Sequence, residues 1–128
     1  MVIQEEAIGW LKKAESDIKH AQHSIEDKDF DWAEFASHQA AEKALKSLCI
    51  RKGVGLIKIH DLTVLARKLN APIKILEKCG LLNAFYTAAR YPDSEKPITP
   101  KVKEETAAKD ALKAAKEVIK WCKNQIKI

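Results

Sequence analysis

The spacing of small and apolar residues near the N-terminus constrains this chain more than any other feature. Ala7, Leu11, Ala14, Ile18, Ala21 and Ile25 alternate steps of four and three, the repeat that lines side chains along one stripe of an α-helix. The spacing predicts a helix from about Glu5 to Asp27, with Lys12, Lys13, Glu15, Asp17 and Lys19 on its other faces. Half of the stripe is alanine, and small side chains let two helices approach to the near end of the usual 8–10 Å range. A chain that begins this way needs a second small-residue helix against the first. It has one, because Ala33, Ala36, Ala40, Ala44, Leu45 and Leu48 repeat the pattern up to about Arg51.

That second helix is expected to start near Asp29 or Asp31, and Asp31 with Glu34 three positions later has the form of a capping box. Gly53 is placed to end it. His60-Asp61-Leu62 opens a short helix to about Leu69, which Asn70-Ala71-Pro72 breaks. A fourth helix follows from about Pro72 to Ala89, with Ile75, Leu76, Cys79, Leu82, Phe85 and Tyr86 at helical spacing; Gly80 inside it suggests a kink or a close contact. Thr99-Pro100 is a cap and first-turn pair for the last helix. No segment reads as a strand. The expectation is an all-α fold, an antiparallel up-and-down helical bundle of four long helices plus one short helix, in a single domain spanning residues 1–128.

At 128 residues, 46% hydrophobic and 32% charged, the chain is long enough for one helical core without staples. No apolar run approaches the roughly 20 residues that cross a bilayer. The N-terminus lacks the basic start and apolar centre of a secretion signal, so a cytoplasmic location is expected and no membrane partner. Cys49, Cys79 and Cys122 fall on or beside apolar stripes without ligand spacing, and are read as small core residues. His20 and His23 stand three apart with no third ligand beside them, so no metal is expected. Gly53-Val54-Gly55 is not a phosphate cradle, since the third glycine of that motif would fall at Lys58 and no strand precedes it. No cofactor is implied.

The net charge of +5 permits an acidic partner such as a nucleotide, RNA or an acidic protein. Only Arg51, Arg67 and Arg90 among the 23 basic residues are arginine, the side chain that bidentate recognition favours. Lys109, Lys113, Lys116, Lys120, Lys123 and Lys127 form a basic ridge on the last helix. It can follow a phosphate backbone, or be a solvated face in which Glu105–Lys109, Asp110–Lys113 and Glu117–Lys120 pair. His38, Gln39, Glu42, Lys43 and Lys46 make a polar strip on the second helix, and by themselves they read as solvated. The end of the fourth helix is chemically richer. In Tyr86-Thr87-Ala88-Ala89-Arg90-Tyr91-Pro92-Asp93 a guanidinium stands among aromatic rings and a carboxylate. Arg90 can fork onto a phosphate or carboxylate, or it can tie down helix carbonyls.

These segments, in this order, resemble the HEPN (higher eukaryote and prokaryote nucleotide-binding) domain family. The resemblance rests on Ala14-Glu15-Ser16-Asp17-Ile18, Phe35 through Lys46, His60-Asp61-Leu62, Tyr86 through Asp93, and the alanine-rich last helix ending in Val118-Ile119-Lys120-Trp121. It implies a helical bundle, usually a homodimer, often paired with a minimal nucleotidyltransferase in toxin–antitoxin-like modules. Other branches bind nucleotides, and many are metal-independent ribonucleases carrying Arg-x(4–6)-His. In this chain the histidine positions after Arg90 hold Glu95, Lys96 and Pro97. The resemblance therefore implies a non-catalytic binding protein. Its Arg90, Tyr91 and Asp93 would line a cleft for a nucleotide or partner, with Gln39, Glu42, Lys43, Lys46 and His60 as the supporting wall. The alternatives are a ribonuclease acting on RNA through a degenerate motif, with His60 or His38 as a displaced base, and a purely structural dimer.

Overall fold

The computed structural model describes residues 2–55, 57–90 and 101–126, with all side chains in those ranges except at 2, 88–90 and 101–103. Among the described residues the chain forms five helices and no strand: α1 (Val2–Glu26), α2 (Phe30–Arg51), α3 (Leu62–Lys68), α4 (Ile73–Arg90) and α5 (Lys101–Ile126). Four are long and one is short, and each begins within about three residues of its expected start, ordinary scatter for helix ends. α2 is the central element, packing on α1, α5, α4 and α3, while α4 also packs on α5. No helix among the described residues is long and apolar enough to cross a membrane.

The alanine stripe explains the closeness of α1 and α2. Ala7, Ala14 and Ala21 are fully buried, as are Ala33, Ala40 and Ala44 across from them. Ser47 on α2 donates its hydroxyl to the Ala7 carbonyl at 2.6 Å, and Lys43 reaches Asp17 of α1 at 2.6 Å. Leu45, Leu48, Leu62, Leu65, Leu82 and Val118 fill the space between α2 and the other three helices. All three cysteines are buried free thiols in this core. Burial pushes the Cys79 thiol up to about 12, with the Asp61 charge adding to it. Cys122 is driven well up, again by burial first and then by its neighbours Cys79 and Cys49. Thiols held this firmly protonated are poor nucleophiles, which suits core packing.

Three helices end in the same way. After α1, Asp29 N–H reaches the Ser24 carbonyl and Lys28 N–H the Ile25 carbonyl. After α2, Val54 pairs with Cys49 and Gly53 with Ile50; after α3, Ala71 pairs with Ala66 and Asn70 with Arg67. Each is a Schellman closure, which puts one residue in the left-handed region. Those residues are Lys28 (φ 62°), Gly53 (φ 78°) and Asn70 (φ 56°). Glycine and asparagine adopt this conformation readily, whereas lysine meets a steric penalty from its Cβ.

Three expectations need correction. Asp29, not Asp31, is the residue before α2, and its side chain makes no capping hydrogen bond, so Asp31 does not open a capping box. Helix α2 has already begun by Asp31, and Glu34 is buried. Gly80 marks no close contact, because an added Cβ would meet nothing within 4 Å, and α4 is continuous through it. On the lysine ridge, Lys109 does pair with Glu105, at 3.3 Å. Glu117, however, pairs with Lys78 of α4 at 3.2 Å and not with Lys120. The Thr99-Pro100 cap and Lys127 lie outside the described residues.

Candidate functional site

Where the start of α3 meets α2 and α4, a polar cluster replaces the hydrocarbon core. His38, Glu42 and Lys46 stand four residues apart on α2, which aligns them along one face. All three are buried, His38 completely. Lys46 Nζ donates to Glu42 Oε2 at 2.8 Å, and His60 Nδ1 lies 3.0 Å from Glu42 Oε1. A carboxylate only accepts, so His60 carries its proton on Nδ1 and presents Nε2 outward. The side chain of His60 is 66% exposed while that of Glu42 is 7% exposed. A buried, neutralised carboxylate thus orients an imidazole that remains in solvent.

Asn83 of α4 ties the start of α3 to this cluster. Its Nδ2 donates to Asp61 Oδ1 at 2.8 Å, and its Oδ1 accepts the Leu62 N–H at 3.1 Å. Asp61 also caps α3, accepting from the Thr63 N–H and hydroxyl at 3.0 and 2.6 Å. These bonds, the Thr63 hydroxyl foremost, hold the Asp61 carboxyl below its ordinary value. With Asn83 so oriented, its Oδ1 is the acceptor facing His38 Nε2 at 3.3 Å. The His38 proton therefore sits on Nε2, and Nδ1 is left without a hydrogen-bond partner among the described residues. Burial lowers the pKa of His38, opposed by the charge of Glu42. The ring is neutral, so its 4.0 Å approach to Glu42 is not an ion pair.

An aromatic row leads from this cluster to the surface. His38 stacks on Tyr86 with centroids 4.0 Å apart, Tyr86 on Phe35 at 5.7 Å and Phe35 on Trp32 at 5.1 Å. The outermost ring, Trp32, is 55% exposed. Asn83, Tyr86 and Arg90 follow one another on α4 at steps of three and four and so share a helical face.

Comparison with known proteins places the chain in a family. The model of the HEPN domain matches residues 7–125. The chain belongs to the HEPN domain family. Among solved HEPN-like structures it is similar to TT1696 from Thermus thermophilus, with 30% identity, 93% of this chain and 97% of that one covered, and a TM-score of 0.81. It is similar to ST0689, an archaeal HEPN homologue, with 31% identity, 94% and 97% coverage, and a TM-score of 0.78. An HEPN domain protein from Thermotoga maritima, 22% identical over 93% of this chain and 98% of that one, shares the fold at a TM-score of 0.77. None of the curated proteins compared with the chain matches it.

Within this HEPN fold, Glu42, Lys46 and His60 come together as one bonded unit. Gln39 is half-buried beside His38, its Oε1 sealed and without a partner among the described residues. Lys43 does not join them, because its one-position offset from Glu42 turns it toward Asp17 on α1. Arg90 is the last residue of α4, its side chain outside the described set, and Tyr91 and Asp93 lie outside the described residues. Sequence reasoning missed Asn83 altogether. The signal was present: a polar residue inside the otherwise apolar stretch from Leu81 to Phe85, in step with Tyr86 and Arg90. Among the described residues no group of three or more histidine, cysteine or acidic side chains can hold a metal.

Proposed function

We propose that this HEPN protein is a non-catalytic nucleotide-binding protein. In this reading it acts as a homodimer with a minimal nucleotidyltransferase in a toxin–antitoxin-like module. One observation carries the reading: a charged pair, Glu42 and Lys46, is held in the interior and its bonding is spent on orienting one exposed imidazole, His60. Burying two charges costs several kcal/mol per ion before their attraction is counted, of order 20 kcal/mol in the idealised limit, so an arrangement of this kind favours a role at the surface it serves. The pair stands at the α3 end of α2, bonded to His60 and near Asn83, whose helical face leads through Tyr86 to Arg90. In this reading Arg90 forks onto phosphate or a partner carboxylate, Tyr91 stacks on the base, and Asp93 orients the guanidinium or accepts from a ribose hydroxyl. Gln39, Glu42, Lys46 and His60 remain as the wall, and Lys43 leaves it. The exposed Trp32 at the end of the aromatic row supports a protein interface beside the site.

The test is titration of wild type, Arg90→Ala and His60→Ala with ATP and GTP. Saturable binding that weakens about tenfold or more in both variants is expected, the size of one charge-assisted contact. Equal binding by all three, or none by wild type, with unchanged melting curves, removes the nucleotide from the proposal.

The ribonuclease reading keeps one specific support. With Nδ1–H anchored on Glu42, the exposed Nε2 of His60 is a free proton acceptor, the geometry a general base requires. His38 cannot serve, being sealed beneath Tyr86. Cleavage of single-stranded RNA in EDTA that disappears in both Arg90→Ala and His60→Ala would put this reading first.

A further inference from the structure

Away from the polar cluster, α1 and α5 enclose a groove that nucleotide binding at His60 does not use. Two cavities of about 410 and 440 Å³ lie along it and share Gln22. Ile18 and Ile25 line it from α1, Leu112 and Ile119 from α5, each pair seven residues apart and so two turns along one face. Lys109, Lys116 and Lys123 repeat at the same interval along the α5 rim. From Lys109 to Lys123 the groove is about 21 Å long, at the rise of an α-helix.

The lining carries five lysines, Lys19, Lys109, Lys116, Lys120 and Lys123, against two carboxylates, Glu15 and Glu26. Lys123 pairs with Glu15 at 2.7 Å and Lys109 with Glu105 at 3.3 Å. Lys19, Lys116 and Lys120 have no ion pair or hydrogen bond among the described residues. All three line the groove beside Ile18 and Ile119. A nucleic acid needs rings for its bases to stack on, whereas this lining holds no phenylalanine, tyrosine, tryptophan or arginine, and its one ring is the imidazole of His23. A bilayer presents a flat surface, and the floor is recessed, with Ile119 only 6% exposed. Among the described residues there is no sheet edge for a strand to join. What matches a straight groove with a two-turn repeat is another helix, apolar on the buried side and acidic along its margins.

We propose that the α1–α5 groove docks an acidic amphipathic helix of a partner protein, about four turns long. The apolar stripe of that helix lies on Ile18, Ile25, Leu112 and Ile119, and its carboxylates meet Lys19, Lys116 and Lys120. This site shares no residue with the His60 cluster and stands whether or not a nucleotide binds there.

The probe is a labelled synthetic helix of about five turns with leucine on one stripe and glutamate on both flanks, followed by fluorescence anisotropy against the full chain. Three probes serve as comparisons: the same composition scrambled, the same stripe with lysine for glutamate, and an oligouridylate. Wild type is expected to prefer the acidic helix about tenfold or more over each, with affinity falling as salt rises. K116E/K120E, at two exposed positions, is expected to lose that preference, while K12E/K13E, with the same net charge, retains it. Circular dichroism melts confirm that both variants fold. Equal binding of the scrambled peptide, tighter binding of the oligouridylate, or an unchanged affinity in K116E/K120E overturns the proposal.

Discussion

The two faces of α2 are buried to the same degree and built on opposite principles. Toward α1 lie Ala33, Ala36, Ala40 and Ala44, with Ser47 bonded to the backbone of α1. Toward α3 and α4 lie His38, Glu42 and Lys46, at most 6% exposed. The alanine face gains stability from close approach and dispersion, and nothing there has to be oriented. Each member of the polar face must find its partner, because an unpaired buried charge is worse than none. The contrast shows where this fold is merely assembled and where it is specified.

Removing one member of the buried pair should have the largest effect. Glu42→Ala leaves the Lys46 charge without its carboxylate and His60 without its anchor, and a loss of about 3–5 kcal/mol is expected in denaturant melts. Glu42→Leu combined with Lys46→Met should recover most of that stability. If the single variant melts like wild type, the two faces are energetically alike and the contrast fails.

Overpacking probes the other face. Ala14→Leu puts a branched side chain where α1 meets α2 with no free space, at an expected cost of about 1–3 kcal/mol. The groups around His60 should be undisturbed, so nucleotide titration of this variant should match wild type while its melting midpoint falls.

The smallest effect expected is a slope with pH. Burial holds the pKa of folded His38 below its unfolded value, so as pH falls the unfolded chain takes up the proton first. The contribution of His38 is therefore complete above the unfolded pKa of about 6.5 and is lost progressively below it. His38→Gln, which keeps a donor for Asn83, should flatten the stability profile between about pH 7 and 5. A profile as steep as that of wild type would assign the titration to another group.

Much of this was legible in the linear chain. The stripe through Ala7, Ala14 and Ala21, the stop at Gly53, the start of a short helix at His60-Asp61-Leu62 and the burial of three cysteines all follow from local spacing and chain chemistry. The polar strip on α2 was legible as a set of residues but not in its setting. Nothing in its spacing distinguishes a solvated strip from one roofed by α3 and α4. For the same reason Lys43 and Lys46 look alike on paper, although one turns to α1 and the other to Glu42. Lys28 in a left-handed turn was invisible, since lysine carries no signal for that conformation and the closing of α1 imposes it.

The order of residues alone settles five amphipathic helices, their approximate ends and the small-residue stripe, because each depends on neighbours within a turn or two. Tertiary packing decided which polar groups lose their water. It set the carboxylate of Glu42 under an exposed imidazole, aligned Asn83 with Tyr86 beside it, and gathered the lysines of α1 and α5 along the rim of one groove. Those outcomes depend on distances between helices far apart in sequence, and the dielectric around a charge is a property of the assembled fold.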